Sequence, residues 1–95
     1  MARRIAVIED EPALRDNLRD ALARQGYEVQ TFSHRKDAQA VLAARLPELV
    51  IVDVGLGDEP EGGFDLCRWL RGVDAKLPIL ILSARDSDID VVSGL

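Results

Sequence analysis

The stretch AVIEDEP, Ala6 to Pro12, sets Glu9, Asp10 and Glu11 in a row behind a short apolar, β-branched run and in front of a proline. Another acid, Asp53, closes a comparable run, LVIVDV. Adjacent carboxylates repel, so an ordered domain keeps them where water solvates them or where a cation gathers them. Two chemistries fit. Asp10 or Glu11 can cap a helix whose first turn holds Pro12, negative charge being favoured at that dipole end. Alternatively the acids converge on a cation, and hard oxygen ligands with room for water suit Mg2+. Asp10 and Asp53 would then be direct ligands and Glu9 would act through water, with the backbone carbonyl of Gly55 completing the shell. One oxygen of Asp53 would stay free to attack phosphorus, and the product would be an aspartyl phosphate.

Whether these acids meet depends on the elements that carry them. RIAVIE, LVIVDV and LPILILS are apolar on successive residues, the pattern of strands buried on both faces. Between the first two runs, Leu14, Leu18, Ala21 and Leu22 follow helical spacing, Gly26 ends that helix, and a weaker strand runs from about Glu28 to Phe32. Ser33 is placed to cap a second helix reaching Ala44, with Ala38, Val41 and Leu42 on one face. Pro47 precedes the strand Leu49 to Val54. A third helix, about Phe64 to Arg71, turns Leu66, Cys67 and Leu70 inward. The strand Ile79 to Ser83 follows Pro78, and a fourth helix begins near Asp88.

The order β-α-β-α-β-α-β-α predicts an α/β, doubly wound parallel sheet. Ligands of such sheets sit beyond the carboxyl ends of the strands, where the strand order reverses. With the order 2-1-3-4, the first and third strands are neighbours, and Glu9 and Asp10 meet Asp53.

At 95 residues the chain holds one domain, and 47% hydrophobic residues suit a globular core. A net charge of -5 argues against nucleic-acid binding by these residues. The apolar stretch in MARRIAVI ends at Glu9, too short for a signal peptide or a membrane span, so a cytoplasmic location is expected. The single Cys67 has no disulfide partner and reads as a core filler. His34, the only histidine, reads as an exposed loop residue, and Trp69 as partial surface packing on the outer side of the third helix.

VIEDEP, LVIVDV, GGFDL and LPILILSAR, in this order and at these spacings, resemble the receiver domain of two-component response regulators, nearest to the OmpR/PhoB-like type. The resemblance covers essentially all of the chain and implies a flavodoxin-like fold. It matches Asp53 to the phosphoacceptor, Glu9 and Asp10 to the acidic metal-binding pair, and Ser83 to the hydroxyl residue that reorients towards the phosphoryl group. It further implies a sensor histidine kinase as phosphodonor and an attached output domain, of the DNA-binding, transcriptional kind, outside these residues.

Two departures stand out. The loop GLGDEPEGGFDL is about two residues longer than is typical, lacks a proline after Leu56 and carries Asp58, Glu59 and Glu61, with Gly57, Gly62 and Gly63 permitting unusual backbone angles. The chain also ends at VVSGL, where the family continues into the rest of the fourth helix, a fifth strand with a terminal lysine, and a fifth helix. Residues 1–95 are therefore expected to form a receiver domain incomplete at its C-terminus, with no fifth strand and impaired phosphoryl transfer. The fourth strand would be an apolar open edge, inviting dimerisation through that strand or helix, or exchange of a segment. Two other functions remain in view: an aspartate-nucleophile phosphohydrolase, weakened by Gly55 where such enzymes carry a second acid, and a receiver-like interaction module that is never phosphorylated.

Overall fold

The computed structural model describes residues 2–56 and 61–82 together with the backbone of residues 89–92. The chain runs β1 (Arg4–Ile8), α1 (Pro12–Arg24), β2 (Glu28–Phe32), α2 (Arg35–Leu42), β3 (Leu49–Asp53), α3 (Gly62–Val73), β4 (Ile79–Leu82) and β5 (Ile89–Val92). One sheet takes the order β2-β1-β3-β4-β5. Its first four strands are parallel, in the predicted order 2-1-3-4.

Alternation along the strands divides the core between the two sheet faces. Ala6, Ile8, Val50, Val52, Ile79 and Ile81 join Ala38 and Leu42 of α2 and Leu66, Cys67 and Leu70 of α3 on one face. Ile5, Val7 and Ile51 lie on the other, with Leu18 and Leu22 of α1 packed against them. No residue of α1 is fully buried, and Leu14 and Ala21 stay exposed although they share its helical spacing. Val41 is likewise exposed, so α2 buries only Ala38 and Leu42. Buried Cys67 is part of the larger cluster, and desolvation pushes its thiol up to about 11. Trp69 packs half-buried against the same cluster.

The ends of the elements refine the sequence reading. The N-cap of α2 is His34 rather than Ser33, without a side-chain cap bond; the Ser33 hydroxyl turns instead to His34 Nδ1 at 2.9 Å. His34 is exposed, as expected. Helix α3 starts at Gly62, two residues before Phe64, because Gly63 has no Cβ and can lie flat against the end of β3. Among the described residues only Gly26 adopts a positive φ, 93°, where it closes α1.

A larger correction concerns the chain beyond β4. The segment expected to open a fourth helix near Asp88 is β5, antiparallel to β4 with Leu80 opposite Val91. The sheet thus has a fifth strand within this chain, and β4 is not the open edge anticipated. An edge of unpaired N–H and C=O groups beside an apolar strand favours pairing over a helical turn, and Ile89, Val91 and Val92 are β-branched residues suited to it.

Candidate functional site

The site lies where β1 and β3 end side by side. Ile8 pairs with Val52 in the parallel register, so the next residues, Glu9 and Asp53, emerge together at the carboxyl edge of the sheet. Carboxylate oxygens of Glu9, Asp10 and Asp53 all lie within 4.8 Å of one another.

The three consecutive acids divide their tasks. Glu11 is the N-cap of α1: its carboxylate accepts from the Ala13 amide at 3.3 Å, and Pro12 fills the first helical turn. Asp10 is exposed, and Glu9 is only 2% exposed. Capping and clustering therefore both occur, on different residues of the triplet.

Glu9 is held from several sides. Its amide donates to the Phe32 carbonyl at 2.9 Å, and its own carbonyl accepts from Arg15 Nη1 at 3.0 Å. Burial pushes its carboxyl up to about 8, helped by a side-chain hydrogen bond to Asp53 and by the Asp53 charge, while the Glu11 amide pulls the other way. A buried carboxyl among like charges favours its protonated form. Even so, Glu9 Oε2 has no hydrogen-bond partner. A buried oxygen with no donor is costly, and a cation or its water would supply what is missing. Three oxygen donors, one exposed, fit a small hard ion that keeps part of its water.

The far wall is built by α3. Its Gly63 amide donates to the Val54 carbonyl at 2.7 Å, and the Val54 amide donates to the Leu82 carbonyl at 3.3 Å, tying the ends of β3, β4 and α3 together. A Cβ on Gly63 would stand 2.0 Å from the Asp53 carbonyl oxygen. Close approach, not an unusual backbone angle, is what this glycine allows. Gly55 follows two residues after β3 and is half-buried. Ser83, Asp58 and Glu59 fall outside the described residues.

Residues 5–95 match the family model of the response regulator receiver domain. The chain belongs to this family. It is 42% identical over 91 residues to the transcriptional regulatory protein AfsQ1 of Streptomyces coelicolor, which covers 96% of this chain and 39% of that protein. It is 38% identical over 96 residues to the response regulator MprA of Mycobacterium tuberculosis, covering 100% of this chain and 40% of the relative. This receiver domain thus spans about two fifths of the length of the curated relatives it matches. Among solved structures, the non-phosphorylated HemR receiver domain of Leptospira biflexa superposes with a TM-score of 0.79 at 29% identity, over 87% of this chain and 65% of that one. The relatives are of the OmpR/PhoB-like type that the sequence motifs indicated, and the domain is a signalling module of two-component systems. Among the described residues of this receiver no helix is long and apolar enough to cross a membrane.

One residue that shapes the site was not singled out from sequence: Arg15, which grips the turn that carries the acids. Gly63 was named there for an unusual backbone angle, whereas its missing Cβ is what admits α3 to Asp53. For Arg15 only its place six positions after Glu9, across the proline, pointed to the turn.

Proposed function

We propose that this receiver accepts a phosphoryl group on Asp53 from the phosphohistidine of a sensor kinase, with Mg2+ held by Asp10, Asp53 and Glu9. The observation that carries the reading is the meeting of three carboxylates within 4.8 Å at the end of β3, with a buried, unpartnered Glu9 oxygen facing no donor. When bound, Mg2+ offsets the charge that develops on the transferring phosphoryl group. Asp53 supplies the nucleophilic oxygen: its bond to phosphorus forms as the bond from phosphorus to the imidazole nitrogen breaks, and the imidazole leaves. Asp10 would be the exposed ligand, Glu9, once deprotonated, would act through water, and the Gly55 carbonyl would complete the shell. Ser83 is the hydroxyl that turns to the phosphoryl group and favours the active conformation.

On this reading the domain is a switch that assists its own phosphorylation, not an enzyme with a turnover substrate. It works in the cytoplasm and controls an output domain of the DNA-binding, transcriptional kind; its similarity to AfsQ1, a transcriptional regulatory protein, supports that output. Self-association or segment exchange through β4 would require β5 to leave its own β4 and pair with a second copy.

Acetyl phosphate with Mg2+ tests the reading directly. One acid-stable, base-labile adduct of phosphoryl mass, absent from Asp53→Asn, is the expected result. Folded protein that acquires no adduct, or acquires it equally in Asp53→Asn, would refute it.

A further inference from the structure

We propose that the outer edge of β2 is the surface on which a second copy of this chain pairs, β2 against β2 around a two-fold axis with Gln30 at its centre. Among the described residues β2 is the outermost strand of the sheet, with β1 as its neighbour. The Glu28 amide donates to the Arg3 carbonyl and the Phe32 carbonyl accepts from the Glu9 amide, both at 2.9 Å. Glu28, Gln30 and Phe32 therefore turn their backbone groups to β1, and by alternation Val29 and Thr31 turn theirs outward. A row of outward N–H and C=O groups is a template for another strand.

Gln30 selects the partner strand. It shares a sheet face with Ala6, its register partner, and α2 packs against β2 on that face. Its Oε1 is buried and has no hydrogen-bond partner, so the single copy carries an unmet acceptor at the middle residue of its edge strand. In an antiparallel pair about a two-fold, Val29 of each copy meets Thr31 of the other, and the two exchange both backbone bonds. Gln30 then faces Gln30 in a non-hydrogen-bonded pair, with Cα atoms about 4.5 Å apart and side chains on one face. Each side-chain amide, turned to the axis, donates an N–H to the oxygen of the other. Charge suits the same pairing. Glu28, the only charged residue in EVQTF, falls opposite Phe32 and not opposite a second Glu28. It comes close to the start of α2 in the second copy, where Arg35 and Lys36 outnumber Asp37 and the helix dipole is positive. The opposite outer strand, β5, holds Asp90 among its four residues, a charge of the kind that blunts an edge.

Sedimentation velocity of the full chain, metal-free and unphosphorylated, over a range of concentrations tests the pairing, with amide hydrogen exchange at low and high concentration. Wild type should be half dimeric at roughly 100 µM, the order of a small, transient contact. On concentrating, the Val29 and Thr31 amides should gain protection, whereas those of Glu28, Gln30 and Phe32, already bonded to β1, should not change. Thr31→Pro removes an outward amide at an edge position where proline is tolerated, so it should fold as wild type does and dimerise roughly tenfold more weakly. Gln30→Glu, nearly isosteric, places like charges on the axis and should weaken dimerisation to a similar extent at neutral pH. If Thr31→Pro does not fold, Gln30→Glu and the alternating exchange pattern decide. A chain still monomeric at ~1 mM, association undiminished in the folded variants, or protection gained without the alternation would each overturn the proposal.

Discussion

Glu9, the residue after β1, and Asp53, the last of β3, bring carboxylate oxygens within 4.8 Å of each other, and burial, reinforced by Asp53, pushes the Glu9 carboxyl up to about 8. The strand register alone brings them together: Ile8 faces Val52, and the next residue of each strand is an acid.

The raised Glu9 carboxyl makes stability depend on pH. Glu9 rises from an ordinary value of 4.5 to about 8 on folding. Below pH 4.5 both states are protonated. Between 4.5 and 8 the unfolded chain has lost the proton and the native one keeps it, so stability falls as pH rises and levels off above 8. At about 1.4 kcal/mol per pH unit across that window, the loss has an upper bound of about 5 kcal/mol. Denaturant titrations of metal-free protein at several pH values should show the fall. Glu9→Gln should flatten it, and saturating Mg2+, which competes with the proton, should make it shallower. A flat wild-type profile without metal would contradict a raised Glu9.

Asp53→Asn removes the proposed nucleophile and one of the charges that raise Glu9. The substitution is nearly isosteric, so the fold should persist. Phosphorylation by acetyl phosphate, followed by intact mass, should disappear, and metal-free stability near pH 8 should rise by about 1 kcal/mol as like charges are fewer.

Two glycines of α3 should respond oppositely to alanine. At Gly63 the added Cβ would meet the Asp53 carbonyl oxygen at 2.0 Å and the Val54 Cα at 2.8 Å, backbone atoms that cannot swing aside. Gly63→Ala should cost about 2–3 kcal/mol or more, and slow phosphorylation by displacing Asp53. At Gly72 nothing lies within 4 Å, and Gly72→Ala should stabilise by roughly 0.5–1 kcal/mol through helix propensity. Melting temperatures of the two variants check both signs.

The pairing of β5 with β4 covers an edge of four apolar residues, Ile79–Leu82. Val91→Pro should open it, since proline lacks the amide that a ladder uses and fits poorly inside a strand. Light scattering over a range of concentrations should then show association that exceeds that of wild type. Unchanged scattering would mean that β5 does not protect this edge.

Much of the scaffold was legible in the residues because buried parallel strands and amphipathic helices leave different periods. RIAVIE, LVIVDV and LPILIL could be assigned as strands, and their order placed Glu9 and Asp53 at one sheet edge. What each of three adjacent acids does was decided only in three dimensions. Glu9, Asp10 and Glu11 are alike in charge and adjacent in sequence, yet leaving β1 and entering α1 buries the first, exposes the second and makes the third a helix cap. The start of α3 depended on a backbone approach at Gly63, which no local pattern records. The fate of Ile89–Val92 was likewise tertiary: IDVV is too short for its period to speak, and the edge presented by β4 selects strand over helix. Local periods follow from the order of side chains along the chain, whereas burial, register and the grip of Arg15 on Glu9 arise from neighbours far away or round a turn, and only the folded sheet brings those together.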